Sequence, residues 1–199
     1  MDPKLHRRFL RIAGAVSPKL QTALRKAGPA WFPEREDKGV AAFLARAVVG
    51  QQLSTRAARA IWGRLEIAAA DGELHAFFHA DNESALRGCG LSRAKVKALQ
   101  GIRDAHEAGD LSAAAIRAMA HMERAAHLTQ IHGVGPWTCD MLAIFYCQDP
   151  DIWPDGDNAA RQTLKRLIGR RKPAKVAALF APHRSILALY MWKIADAAL

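Results

Sequence analysis

The sequence predicts an all-α protein built from about ten short helices. Apolar residues recur at intervals of three and four almost throughout, and no stretch keeps the two-residue alternation of a strand. Breakers fall in tight clusters, at Gly28-Pro29, Pro33, Pro150, Pro154 to Gly156, Pro173 and Pro182, and none makes a long flexible linker. Neither an internal repeat nor a low-complexity tract interrupts the pattern. At 199 residues the chain is long enough for one compact domain, or two interlocked lobes, around a sizeable core.

The first clean stripe is Val40, Phe43, Leu44, Ala47 and Val48, one face of a helix that runs into GQQLST, Gly50 to Thr55. Gly50 suits its end, and Ser54 is a fresh N-cap for TRAARAIWGRL, a helix through Leu65. DNESALRGCG pairs a capped short helix with stops at Gly88 and Gly90, and Ser92 caps the helix of LSRAKVKALQGIRDAH. Helical spacing covers Leu111 to Met119 and Met122 to Gln130, and resumes over Pro136 to Tyr146 beyond a Gly-Val-Gly turn. Asn158 to Leu167, Ala174 to Leu179 and His183 to Ala198 complete the series.

Lys and Arg number 29 against 19 Asp and Glu, a formal net charge of +10. That excess favours a polyanionic partner, nucleic acid first, although a ribosomal or membrane-surface protein would carry the same balance. The three cysteines, Cys89, Cys139 and Cys147, form no CxxC pair, and the last two lie in an apolar stretch. They read as reduced core thiols of a cytosolic protein. The N-terminus is too charged for a signal peptide, and no apolar run approaches the roughly 18 residues of a membrane span. A soluble, cytoplasmic protein without membrane contact is expected. His75 and His79 stand at i, i+4, the spacing of two metal ligands, but neither a third ligand nor an HExxH glutamate accompanies them, so no metal is expected.

The turn Gly133-Val134-Gly135 joins two helices tightly, because glycine takes φ > 0 or admits close backbone approach. Pro136 fits the first turn of the following helix, where its missing N–H costs nothing. The unpaired N–H groups of such a turn and helix start form an anion site suited to phosphate. An ordinary αα-turn would look the same taken alone. Asp149, Asp151, Asp155 and Asp157 then crowd the loop before the helix at Asn158. At least two read as solvated loop acids, and one as the cap of that helix.

LTQIHGVGPWTCDML resembles the helix-hairpin-helix of base-excision DNA glycosylases, and IWPDGDNAARQTL resembles the Gly/Pro-rich loop and aspartate that complete their signature. VVGQQLSTRAA, GLSRAKVKAL and APHRSILALYMWK are similar to the corresponding segments of AlkA-type 3-methyladenine DNA glycosylases, so the matches run from about Val40 to Trp192.

The resemblance implies a hairpin, Gly133, Val134, Gly135 and Thr138, that grips the backbone of one DNA strand. It implies a catalytic carboxylate last in the aspartate loop, which is Asp157, with Asp155 as the fallback. A fixed carboxylate stabilises the positive charge that develops on the sugar as the N-glycosidic bond breaks, and it can orient or deprotonate water. The positive end of the helix at Asn158 favours its charged form. Bifunctional relatives carry a nucleophilic lysine two residues beyond the second hairpin glycine; here that position is Trp137, which implies a monofunctional enzyme using water. No cysteine follows Cys147, so the iron–sulfur cluster of endonuclease III-like relatives is not expected, nor any other cofactor.

Trp137 and Trp192 match pocket aromatics, whose electron-rich faces suit cationic alkylated purines. Met141 and Asn158 stand where some relatives carry further aromatics, which puts the lesion range in question. Gln52, with Leu53 beside it, matches the wedge that fills the gap left by a flipped nucleotide, whereas Gln51 continues the Val40 stripe and reads as a structural amide. Ser92 and Arg93, with Lys95 and Lys97, are candidate phosphate contacts.

The implied architecture is two helical lobes with a DNA-facing cleft, within a single glycosylase unit of residues 1–199. One lobe takes residues 1–36 and 155–199; the other takes residues 37–154 and holds the hairpin at 122–146. The expected activity is excision of alkylated purines, such as 3-methyladenine or 7-methylguanine, from duplex DNA by a monomer. The alternatives are a glycosylase for deaminated or oxidised bases and a non-catalytic helix-hairpin-helix binding module.

Overall fold

The structure, a computed structural model, describes residues 3–34, 39–70 and 74–197. Among these residues there are helices and turns and no strand. Twelve α-helices occur in order: α1 (Pro3–Val16), α2 (Pro18–Ala27), α3 (Gly39–Gly50), α4 (Thr55–Ala68), α5 (Glu83–Gly88), α6 (Arg93–Glu107), α7 (Ala113–Ala118), α8 (His121–Leu128), α9 (Pro136–Met141), α10 (Asn158–Ile168), α11 (Pro173–Ala178) and α12 (Arg184–Asp196). The two N-terminal helices are additions to those delimited from sequence. Pro18 opens α2 at its first position, where no intrahelical N–H is needed. The single helix expected over 136–146 changes period midway, α9 passing into a wider π-type turn at Leu142–Tyr146. His75 and His79 are not on a common α-helix: two short 3₁₀ turns, Ala76–Phe78 and Ala80–Asn82, occupy that stretch. His75 stacks edge-on against His106, and His79 Nδ1 accepts the Asp81 N–H.

Two compact units form, Met1–Arg35 with Ala143–Leu199, and Glu36–Leu142. The expected boundary at residues 36/37 lies outside the described residues. The second boundary falls after Leu142 rather than after residue 154, and hydrogen bonding explains the shift. Ser185 Oγ donates to the Asp149 carbonyl at 2.6 Å and accepts the Ile152 N–H at 2.9 Å, while the Arg184 guanidinium grips Asp151 from 2.8 Å. Gln148 donates to the Pro33 carbonyl. The loop is thereby tied to the terminal segments.

In the terminal unit α12 is buried almost all round, with Ser185 to Met191 all inside. Phe9 of α1 packs between Phe180 and Tyr190, ring centroids 5.0 and 5.6 Å away, and Leu20, Leu24 and Leu164 close the core. In the other unit α3 is the central helix, packed by α4, α6, α7 and α9. Its buried set is Val40, Ala41, Leu44, Ala45, Val48 and Val49, a wider arc than the expected stripe, with Phe43 and Ala47 only half-buried. Alanines at 41 and 45 let neighbouring helices approach on a second face. Arg124 is 2% exposed; its guanidinium donates to the carbonyls of Ile116 and Met119 at 2.8 Å, which satisfies the C-terminal end of α7. Cys89 and Cys139 are buried and Cys147 half-buried. Burial first, then the neighbouring Asp140 carboxylate, pushes the Cys139 thiol up to about 11.

Candidate active site and nucleic-acid interface

The α8–α9 hairpin is built by two different uses of glycine. Gly133 sits at φ +82, and a Cβ there would stand 2.5 Å from the Cβ of Ala98 on α6, so backbone conformation and close packing both demand glycine. Gly135 is extended, at φ −103 and ψ 177, and a Cβ there would meet nothing within 4 Å. Nothing inside the chain requires glycine at 135; its bare face opens outward. Gly135 also precedes Pro136 as the N-cap of α9, with no side chain capping that helix start.

Two expected DNA contacts on the hairpin turn inward instead. Val134 is 4% exposed and Thr138 is 1% exposed, so their side chains belong to the core of the unit and only their backbone is left for a ligand. The Thr138 hydroxyl accepts the Gln51 amide at 3.2 Å, and the same amide nitrogen donates to the Gly133 carbonyl at 3.2 Å. Gln51, read from sequence as a structural amide, fastens the end of α3 to the hairpin. His121 Nε2 lies 3.1 Å from Asp140 Oδ1 and braces the start of α8 against α9.

Lys95 also departs from its expected role. Its ammonium donates to the carbonyls of Val49 and Gln51 at 2.8 and 2.9 Å, capping the C-terminus of α3, and burial lowers its pKa. The Ser92 hydroxyl accepts the Lys95 N–H as the N-cap of α6, as expected of a cap, while Arg93 and Lys97 are exposed. Beyond this clamp, Gln52 adopts φ +58 and projects with Leu53, which is 39% exposed. A non-glycine residue held in the left-handed region is strained by roughly 1–3 kcal/mol, and the Gln51 and Lys95 bonds anchor the chain immediately before it.

In the terminal unit the four loop aspartates separate. Asp151 is the ion-pair partner of Arg184, whose hydrogen bonds hold its carboxyl below the ordinary carboxylate range. Asp155 is exposed and accepts the Trp153 indole N–H at 3.1 Å. Asp157 is 9% exposed and is the N-cap of α10, its Oδ1 accepting the Ala160 N–H at 2.8 Å. The same oxygen accepts the indole N–H of Trp192 at 2.9 Å. Trp192 in turn packs on Phe145, with centroids 5.3 Å apart. Asn158, expected in the pocket, is exposed and accepts a 3.4 Å bond from Arg161. On α9 the i, i+4 residues Trp137 and Met141 share a face, Trp137 half-buried and Met141 7% exposed.

Sequence reasoning missed the Lys95 clamp and the Trp192 hydrogen bond. The first had a signal, since the carbonyls ending α3 need donors. The second spans 35 residues and left no local pattern.

No protein-family model matches the chain. It is 33% identical over 163 residues to DNA-3-methyladenine glycosylase 1 of Schizosaccharomyces pombe, across 75% of this chain and 70% of that protein. It is 31% identical over 196 residues to the probable bifunctional transcriptional activator/DNA repair enzyme AlkA of Mycobacterium tuberculosis, across 89% of this chain and 37% of that protein. The structure of S. pombe 3-methyladenine DNA glycosylase (Mag1) in complex with abasic DNA matches with a TM-score of 0.80 at 27% identity, covering 94% of this chain and 95% of that one. A Bacillus halodurans DNA-3-methyladenine glycosidase matches with a TM-score of 0.76, also at 27% identity, covering 94% and 88%.

An all-α chain with this hairpin and a capped loop aspartate has the make-up of a helix-hairpin-helix DNA glycosylase. The chain belongs to the AlkA-type 3-methyladenine DNA glycosylase family, N-glycosidic hydrolases of DNA repair.

Proposed function

We propose that this enzyme excises alkylated purines from duplex DNA by a monofunctional, water-dependent route, with Asp157 as its catalytic carboxylate. The observation that carries the reading is the double tether of Asp157 Oδ1 by the Ala160 N–H and the Trp192 indole. A carboxylate fixed in advance stabilises the charge developing on the deoxyribose without having to reorganise during the reaction. Purines methylated at N3 or N7 are cationic and leave readily, so no strong general acid is needed. The π faces of Trp137 and Trp192 suit such a base, worth up to ~2 kcal/mol each when desolvated. Gln52 and Leu53 serve as the wedge that holds the target nucleotide out of the stack. The backbone N–H groups around Gly135 take a phosphate. Trp137 offers no amine at the position of the bifunctional lysine, so strand cleavage is not expected.

The test is base release from a panel of duplexes carrying methylated, deaminated or oxidised bases, with abasic sites revealed by alkali. Wild type releases methylated purines, and borohydride traps no covalent enzyme–DNA adduct. Asp157→Asn lowers release by at least about 10²-fold with affinity for lesion DNA retained, while Asp155→Asn stays near wild type. Melting temperatures of both variants are compared and are expected to stay near wild type, because asparagine keeps an acceptor at the cap of α10. Activity surviving in Asp157→Asn and lost in Asp155→Asn moves the carboxylate; borohydride trapping ends the monofunctional reading.

A further inference from the structure

Residues 158–195 hold nine Lys and Arg and not one Asp or Glu, while the rest of the chain holds 20 Lys and Arg against all 19 acids. Nearly the whole +10 therefore resides in one stretch of the terminal unit. Arg184 is paired with Asp151, and Lys193 donates to the Pro29 carbonyl away from the rest. The other seven, from Arg161 to Lys175, are all exposed on α10, α11 and the turn between them, and none forms an ion pair with a described carboxylate.

They form a contiguous patch. The Lys165 ammonium donates to the Arg171 carbonyl at 3.2 Å, folding the turn against the last turn of α10. Arg166, whose guanidinium is steadied by Thr163 Oγ1 at 3.2 Å, stands beside Lys165, and Arg170 follows one turn later.

Helix electrostatics account for part of this only. Lys165 and Arg166 lie in the last turn of α10, where cations are favourable. Lys175 lies in the last turn of the short α11, again a favourable place, whereas Lys172 is the N-cap of α11, where a cation is unfavourable and no acid compensates. A patch of one sign repels itself, which weakens the folded unit and suits an external anion.

We infer that the α10–turn–α11 corner is a second DNA-backbone surface, which binds the phosphates of the duplex flanking the lesion. The eleven residues of α10 rise about 16 Å between Asp157 and the turn, or about five base pairs along one strand. That spacing rests on Asp157 as the catalytic group; phosphate binding by the patch does not.

The measurement is affinity for a long undamaged duplex as a function of salt, for wild type and for the combined variant Arg170→Ala, Arg171→Ala, Lys172→Ala and Lys175→Ala. The slope of log affinity against log salt becomes shallower by ~2–4, and binding near 0.1 M salt weakens by ~10-fold or more. An unchanged slope and affinity overturn the surface. Should the variant misfold, acetylation of wild type decides: Lys165, Lys172 and Lys175 are protected by saturating duplex, and unprotected reaction at all three overturns the proposal. A length series centred on a lesion separates the two readings. If the variant loses salt sensitivity yet the gain from extending each flank past about five base pairs persists, the surface stands and its spacing from Asp157 falls.

Discussion

Trp192 presents two chemistries in one ring, an apolar face that suits a base and an N–H donor spent on Asp157 Oδ1. Substitution separates them. Trp192→Phe keeps an aromatic face and deletes the donor, so kcat is expected to fall about 10- to 100-fold, the worth of one hydrogen bond to a charged group, with KM little changed. Trp192→Ala also removes the face and is expected to raise KM. Equal losses in both constants for Trp192→Phe would assign the ring to stacking alone. The capping of α10 by an aspartate was legible in the sequence because loop, cap and helix start are local. The partner of that aspartate was not, because only the folding of α12 against α10 brings residue 192 to residue 157. The inward turn of the Thr138 and Val134 side chains was hidden for the same reason: the hairpin motif is readable in order, but which of its side chains turn inward depends on α3 and α6.

At the scale of elements, the hairpin separates a glycine needed for folding from a glycine free for contact. Gly133→Ala is expected to destabilise the protein by two effects, the φ of +82 and the 2.5 Å approach to Ala98, each of order 1–3 kcal/mol. Gly135→Ala meets no neighbour and should leave the melting temperature unchanged, while Gly135→Asp is expected to weaken binding to every duplex by placing charge at the proposed phosphate site. Equal melting temperatures for the two alanine variants would contradict this division. The loop ahead of α10 depends on Arg184, which holds the Asp151 carboxyl below its ordinary range. A carboxyl so depressed adds stability that is complete above the unfolded-chain value near 4 and is lost as pH falls through its lower folded value. The gap in urea midpoint between wild type and Asp151→Asn is therefore expected to hold from about pH 7 to pH 5 and to close in acid. A gap independent of pH would mean that the pair contributes geometry without charge.

For the molecule as a whole, composition announced a polyanionic partner, and periodicity announced an all-α chain, both correctly. The second unit boundary escaped because apolar spacing does not show where one core stops, and Ser185 and Arg184 claim the aspartate loop from 33 residues away. Most of the chain's net charge lies on one part of one unit, a feature plain in the sequence only once the helix ends are known. The three thiols carry a consequence of another kind. Reagents that methylate purines are electrophiles, and a thiolate is the side-chain form most exposed to such attack. Cys139 is 1% exposed, and with its thiol pushed up to about 11 it stays protonated at neutral pH. Cys89 is 6% exposed, which leaves half-buried Cys147 as the most accessible thiol. The core beneath the hairpin is thus chemically quiet toward the agents that create the lesions this family removes.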